Sequence, residues 1–360
     1  MADTKKKGRL FDLPETKGSF QLKGIVSGMK KDNAYKEIKT KSGKDMRMLN
    51  FGLGYAYNKE TKSNDTLFLN LQGMEQENVY FSKRAEEKGQ KPDTQKVPWV
   101  ERFTYKREGY NLIGKNIGVK KKINEAGETV NDKKVLTDFD ACKEVKDNLQ
   151  DGASVFTRGS LDYSSFVDNK GNKKTSTKLI PQQISLCGAI KFDDENFVQQ
   201  NNFNQVIIFM GIEQEKENEK PTGRFIVLAK IVTYSNIEDV EFIIDNKDLA
   251  NKFKKSLKPY YAIKVNGDIV SSAQVEEVED DDNWGEEDAM EKQKTPVKRE
   301  FIIKGAKGSS IDKELYTEEK VNEALMKIRN ANKAEADYGD DNDDWGNSSD
   351  LDVDDDDAWD

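Results

Sequence analysis

DACKEVKDNLQDGASVFTRGSL (140–161) and DLANKFKKSLKPYYAIKVNGDI (248–269) repeat one pattern at an offset of 108 residues. In the earlier stretch Ala141, Val145 and Leu149 recur at near-helical spacing, and Val155, Thr157, Gly159 and Leu161 then alternate as a strand does. In the later stretch Leu249, Phe253 and Leu257 hold the helical places, and Ile263, Val265, Gly267 and Ile269 hold the alternating ones. A helix leading into a strand, with glycine at the same point, occurs twice. This predicts a tandem repeat.

Working outward from the first copy, residues 19–29 place Phe20, Leu22 and Val26 on one strand face. Residues 46–57 form a second strand, which Gly52 and Gly54 allow to bend, and 66–71 a third with Leu67, Leu69 and Leu71 on one side. Thr137 or Asp138 caps the helix, Gly152 ends it, and strands follow at 153–166 and 175–187. Three strands, a helix and two strands form the layout of a five-stranded oligonucleotide-binding (OB) barrel. Around the second copy, 203–212, 224–234 and 240–244 supply three strands and 299–306 the last. The acidic run DDDNWGEED around Trp284 then reads as an insertion in the final hairpin. A helix at 316–328 presents Val321, Leu325 and Ile328 on one face, to pack on the second domain or to mediate self-association.

The expected fold class is therefore mainly β, of β-barrel type with a few helices, in two tandem OB-like domains. Residues 1–17 are expected to be a flexible N-terminus, and 18–191 a first domain with an aromatic and basic excursion at 80–135. Residues 192–334 form the second domain, with an acidic insertion at 276–291 and a helix at 317–329, and 335–360 a disordered acidic tail.

Charge divides the chain in the same way. Residues 276–291 hold ten acids and 335–360 thirteen, neither with any Lys or Arg, so the formal net charge of −9 conceals a basic body. Residues 1–191 carry 37 basic and 25 acidic side chains, whereas 192–275 carry 10 and 13. Trp284, Trp345 and Trp359 lie within the acidic runs, where nothing apolar surrounds them. An acidic strand with periodic aromatics imitates a single-stranded nucleic acid, which implies a groove built for such a ligand elsewhere in the chain.

The absence of histidine removes the commonest general base, the Ser–His and Cys–His nucleophiles and nearly all zinc sites. KTKSGK (39–44) lacks the earlier glycine and the following Ser or Thr of a phosphate loop and reads as a basic hairpin turn. Asp280–Glu291 approaches a calcium loop, but Trp284 stands where an oxygen ligand is needed. No metal, cofactor or catalytic residue is expected: the chain reads as a binder, not an enzyme. With no apolar run near 18 residues there is no expected membrane span, and the N-terminus shows no signal core. Cys142 and Cys187 read as buried thiols of a reducing compartment, the cytoplasm.

A groove for single strands needs cations along the phosphates and rings that stack on bases. The candidates lie in the first half. Lys39, Lys41, Lys44, Arg47, Arg102 and Arg158 supply charge, and Phe51, Tyr55, Tyr57, Phe68, Tyr80, Trp99, Tyr105, Phe156 and Tyr163 supply rings. Arg47, Phe51, Tyr55 and Tyr57 share one parity on their strand, although a bulge at the glycines could swap the faces midway. The second half, apolar and slightly acidic, reads as a packing or partner-binding domain.

The run GSFQLKGIVSGMKKDNAYKEIKTKSGKDMRMLNFGLGYAYN (18–58), then DGASVFTRGSLDYSSF (151–166), with the acidic, aromatic C-terminus, resembles the single-stranded DNA-binding proteins of bacteria and their phages. Within them it is most similar to the large proteins carried by phages of Gram-positive hosts. The resemblance implies an OB fold and binding to single-stranded DNA, or RNA, in phage replication and recombination in the host cytoplasm. It further implies an acidic tip, here Asp354, Asp355, Asp356, Asp357 and Trp359, that recruits replication or recombination proteins and competes with DNA. The chain departs from the bacterial pattern by ending in Trp-Asp and by repeating the Trp motif internally. The alternative is a protein-interaction module, such as an acidic DNA mimic that occupies a DNA-processing protein. A metal-dependent nuclease is a third reading.

Overall fold

The computed structural model of the chain describes residues 9–59, 62–85, 87, 89–167, 173–273 and 297–337. The fold is mainly β. The first half contains β1 (Gly18–Ser27), β2 (Tyr35–Lys39), β3 (Asp45–Asn58) and β4 (Ser63–Met74). Short strands follow: β5 (Asn78–Lys83), β6 (Asp93–Pro98), β7 (Tyr110–Leu112), β8 (Lys115–Gly118), β9 (Lys121–Ile123), β10 (Thr129–Asn131) and β11 (Lys134–Leu136). Helix α1 (Asp138–Asn148) leads to β12 (Ser154–Val167) and β13 (Lys173–Leu186). The second half contains β14 (Asn201–Glu217), β15 (Lys220–Val232), β16 (Ile237–Ile244), α2 (Lys247–Ser256), β17 (Tyr261–Ala273), β18 (Val297–Asp312) and α3 (Glu318–Asp337).

Pairing in each half runs in a circuit. In the first, β1 pairs with β3, β3 with β4, β13 with β12 and β12 with β1, all antiparallel, and the parallel pair Leu69–Leu179 links β4 to β13. The second half repeats this through β14, β15, β16, β18 and β17, with the parallel pair Ile243–Ile302 linking β16 to β18. Each is the 1-2-3-5-4 order of a five-stranded OB barrel, left partly open where only one pair closes it. The helices sit where the sequence places them. Thr137 Oγ1 accepts from Asp140 N at 3.1 Å to cap α1, and Asn246 Oδ1 accepts from Leu249 N at 3.0 Å to cap α2.

The repeated glycine has a steric cause. Gly159 and Gly267 both stand at a register shift, where a β-carbon would come within 2.0 Å of the Ile180 carbonyl oxygen and 1.8 Å of that of Ile302. Phe20 lies opposite Gly159, Phe203 lies opposite Gly267, and Phe20 lies opposite Phe203. The halves are thus related by an approximate two-fold axis between the two phenylalanines.

Joining at β1–β14 makes one core of the two halves. A single apolar cluster runs from Leu53 and Leu69 through Phe20 and Phe203 to Phe242 and Ile303. Buried Gln205 stitches the seam, accepting from the Tyr163 hydroxyl at 3.2 Å and donating to the Thr16 carbonyl at 2.7 Å. Ser271 N donates to the Tyr55 hydroxyl across the same seam at 3.1 Å. The division at 191/192 marks a repeat, not two separately packed cores.

One further expectation changes. Residues 9–17 are not a loose N-terminus: Phe11 and Leu13 are buried with Ile208, Val232 and Tyr316, and the Tyr316 hydroxyl donates to the Pro14 carbonyl at 3.1 Å. Helix α3 closes this second cluster with Val321, Ala324 and Ile328, which commits its apolar face to its own chain. The reason is the long apolar exterior of β14–β16, which alternates too little to face water. The stretch at 80–135 folds as β5–β6–β7 around Val79, Phe81 and Val97, followed by the β9–β10 hairpin and the β8–β11 pair. No helix among the described residues is long and apolar enough to cross a membrane.

Candidate nucleic-acid interface

Register defines the outward face of β3–β4. Leu49, Phe51 and Leu53 face Leu71, Leu69 and Leu67 inside the barrel, so the intervening Met48, Asn50 and Gly52 lie outside, opposite Gln72, Asn70 and Phe68. Asn70 Nδ2 donates to Asn50 Oδ1 at 2.7 Å and ties the two strands across this face. A β-carbon at Gly52 would come within 2.7 Å of Thr66 Cγ2 and 3.2 Å of Phe68 Cε1. Glycine there leaves the space over which the Phe68 ring extends.

A bulge then changes the parity. Gly54 pairs with Thr66 but Ala56 with Asp65, leaving Tyr55 as the extra residue. Tyr55 turns inward, 2% exposed, while Tyr57 pairs with Asn64 and turns outward, 50% exposed. Tyr57 and Phe68 therefore share one face, about 13 Å apart along β4 by strand rise. The other residues of that face are Asn64, Thr66, Asn50, Asn70, Met48 and Gln72. No carboxylate stands among them.

Four proposed groove residues are corrected by this geometry. Phe51, Tyr55 and Tyr163 are core: each ring lies on the inner parity of its strand, and the two hydroxyls are taken up by the seam. Arg47 also points inward, over the Phe139 ring of α1 at 3.8 Å, and donates to Glu37 at 3.0 Å. The Tyr35 hydroxyl bonds to Glu37 as well, and this holds its carboxyl below the usual range, with Arg47 adding to the effect.

The basic hairpin ends the face on one side. β2 pairs with β3 so that Lys36 lies opposite Met48 on the outer face, a cation the sequence reading missed. Lys39 is paired with Asp45 at 2.8 Å, Lys41 is exposed and Lys44 half-buried. Thr40 Oγ1 shapes the turn by accepting from Lys44 N at 3.0 Å.

The excursion uses its aromatics mostly for structure. Arg102 makes a bidentate pair with Asp140 of α1 at 2.7 and 3.2 Å and lies 4.3 Å from the Trp99 ring centre. Trp99 in turn meets Phe139 edge-on at 6.0 Å, and Tyr105 packs on Phe81 at 4.7 Å. Arg102 and Trp99 thus fasten this small sheet to α1 while Tyr105 completes the sheet's own apolar cluster, and Tyr80 alone of the four proposed there is exposed, at 43%. Burial pushes the Cys142 thiol, on the inner side of α1, up to about 12. A thiol reagent at about pH 8 is therefore expected to modify Cys142 only as fast as the protein unfolds, checked by mass spectrometry against a urea-unfolded sample. Rapid native-state labelling would show that α1 is not seated.

Phe156 and Arg158 occupy the outer face of β12, which does not pair with β4, so they do not join Phe68 in one row. The tail residues Asp354, Asp355, Asp356, Asp357 and Trp359 lie outside the described residues. Trp284 and its acidic segment lie outside them as well. Among the described residues no cluster of His, Cys, Asp and Glu could hold a metal ion.

Fold and site define a class: a mainly β protein of two fused five-stranded OB-type units, with an aromatic, carboxylate-free β3–β4 face on the basic half. The chain belongs to the YorF family, whose model matches residues 84–341. No curated protein matches it. Among solved structures it is similar to the single-stranded DNA-binding protein of Thermus aquaticus, at 10% identity over 82% of this chain and 93% of that one, with a TM-score of 0.39. A deletion mutant of that protein gives the same identity and TM-score, covering 81% and 94% of the two chains. A mitochondrial single-stranded DNA-binding protein of S. cerevisiae, Rim1, matches 49% of this chain and 96% of its own, at 11% identity and a TM-score of 0.19. At such scores none of these likenesses assigns a site.

Proposed function

We propose that the chain binds single-stranded DNA without strong sequence preference and protects it during phage replication and recombination. The observation that carries this is the β3–β4 face, where the bulge at Tyr55 puts Tyr57 on the same side as Phe68, on a surface free of carboxylates and ended by a lysine hairpin. Stacking rings accept any base, which gives affinity without sequence readout, and lysines follow the backbone. Strands 2 and 3 of an OB barrel and the loop between strands 1 and 2 are the parts that take oligonucleotides. On the matching strands of the second barrel Lys230 is tied to Asp239 at 2.5 Å and Glu241 adds a further carboxylate, so that face offers phosphates no excess of positive charge.

The test is a salt titration of the full chain against oligo-dT, the same length of duplex, and RNA. Log affinity for oligo-dT should fall linearly with log salt, by about 0.7 for each phosphate contact, and duplex should bind more weakly throughout. Absence of oligonucleotide binding, with capture of a DNA-processing protein instead, would favour the DNA-mimic reading. The tail serves as a recruiting peptide and as a competitor for the basic face. Truncation before Asp337 should therefore tighten oligo-dT binding at low salt and have less effect at high salt. Equal affinity of the two forms at low salt would remove the competition.

A further inference from the structure

A second surface with the same chemistry lies across four other strands of the first barrel. Leu22 of β1, Thr157 of β12, Ile184 of β13 and Ile117 of β8 form a buried row in register. The rows on either side of it point outward: Lys23, Phe156, Ser185 and Gly118 in one, Gln21, Arg158, Gln183 and Asn116 in the other. Neither row contains a carboxylate. Gly118 is buried: a β-carbon there would lie 3.4 Å from Lys133 Cγ and 3.6 Å from Asn131 Cβ, so the chain leading into β11 covers this end of the row and sets Lys133 over it, and β8 runs on into the β9–β10 hairpin, where Lys120, Lys121 and Lys122 are exposed. Among the described residues Lys23, Arg158 and Lys133 have no ion-pair partner.

The fused repeat supplies an internal comparison. Asn266, opposite Asn204, takes the place of Arg158 in the second barrel, and Lys264, opposite Val206, takes that of Phe156. The ring with flanking cations belongs to the first barrel alone, so the fold does not require it.

We infer that this β1–β12–β13–β8 face, with the β9–β10 hairpin, is a second station for the same single strand of nucleic acid. It rests on the function proposed above and extends it: the strand leaves β3–β4, crosses β13 and is held again at Phe156. The step from β4 to β12 is two strand spacings, about 10 Å, and Ser185, opposite Phe156, lies six residues along β13 from Leu179, which meets β4, so the nucleic acid runs about 22 Å between the two faces. Phe156 stacks on a base, and Lys23, Arg158 and Lys133 meet the phosphates.

The test uses the full chain and oligo-dT of about 6 and about 30 nucleotides, the first within and the second above what one OB barrel covers. Arg158→Glu with Lys133→Glu, both exposed positions, should weaken the long oligonucleotide about tenfold and lower its salt slope by about 1.4, two phosphates' worth. Binding of the short one should be unchanged. Phe156→Ala should act in the same direction without changing the salt slope. Unchanged long-oligonucleotide binding, with Tyr57→Ala and Phe68→Ala still weakening both lengths, overturns the second station and leaves the first. Equal weakening of both lengths also overturns it, because the two faces would then be one site. If the front-face variants have no effect either, the proposed function itself falls.

Discussion

Tyr57→Ala combined with Phe68→Ala is expected to weaken oligo-dT binding by about 30-fold or more while leaving the fold intact. Each ring lost from a stacking platform costs about 1–3 kcal/mol, so the pair costs at least about 2 kcal/mol, which is about 30-fold. Neither ring is a core element: Tyr57 is half-exposed and Phe68 lies outside the Leu67–Leu69–Leu71 stripe. The salt slope should stay as in the wild type, because no cation is removed. Fluorescence anisotropy across a salt series measures both quantities. Arg47→Glu with Tyr55→Ala is the contrasting variant. It would place a carboxylate beside Glu37 and open a cavity at the seam, so it is expected to lower stability instead of acting on the surface. If that pair weakened binding with stability unchanged, the assignment of the β3 faces would be reversed.

Phe203→Ala is expected to lower stability by about 3–5 kcal/mol, the range for removing a buried aromatic ring. Phe203 is fully buried, stacks on Phe242 at 5.9 Å, meets Phe301 edge-on at 5.3 Å and faces Phe20 across the β1–β14 junction. Its position at the pseudo-two-fold axis gives the variant a second consequence. Because one core runs through both barrels, urea should unfold the wild type in a single transition followed equally by probes in either half. Phe203→Ala should shift that whole transition to lower urea. Two transitions in the wild type, one for each half, would show that the barrels fold independently and that the seam contributes little.

Much of this fold was legible because it repeats. The glycine shared by Gly159 and Gly267 marks a place where two backbones touch, a constraint that survives when most side chains around it differ. The caps at Thr137 and Asn246 and the alternation along β1, β4 and β12 are local, and local patterns can be read residue by residue. The site was less legible. Alternation identified Phe68 and Phe156 as outward-facing, but the parity of β3 could not be carried past Tyr55, because a bulge depends on the partner strand's register. The parity that grouped Arg47, Phe51 and Tyr55 with Tyr57 therefore joined three inward residues to one outward residue. Trp99, Arg102 and Tyr105 look like groove residues in composition, and only their partners distant in sequence, Phe139, Asp140 and Phe81, show the first two to be fasteners to α1 and the third to be part of the small sheet's core.

By itself the sequence determined the β class, the tandem repeat, the basic first half and the acidic runs around Trp284, Trp345 and Trp359. These follow from periodicity and composition, which act within a few residues of each position. Only the tertiary structure decided that residues 9–17 and α3 pack on the second half, that the barrels share one core through Phe20 and Phe203, and that Tyr57 joins Phe68 while Tyr55 does not. Those outcomes depend on which strands pair and in what register. Register is fixed by apolar burial summed over the whole sheet, a property of no single segment.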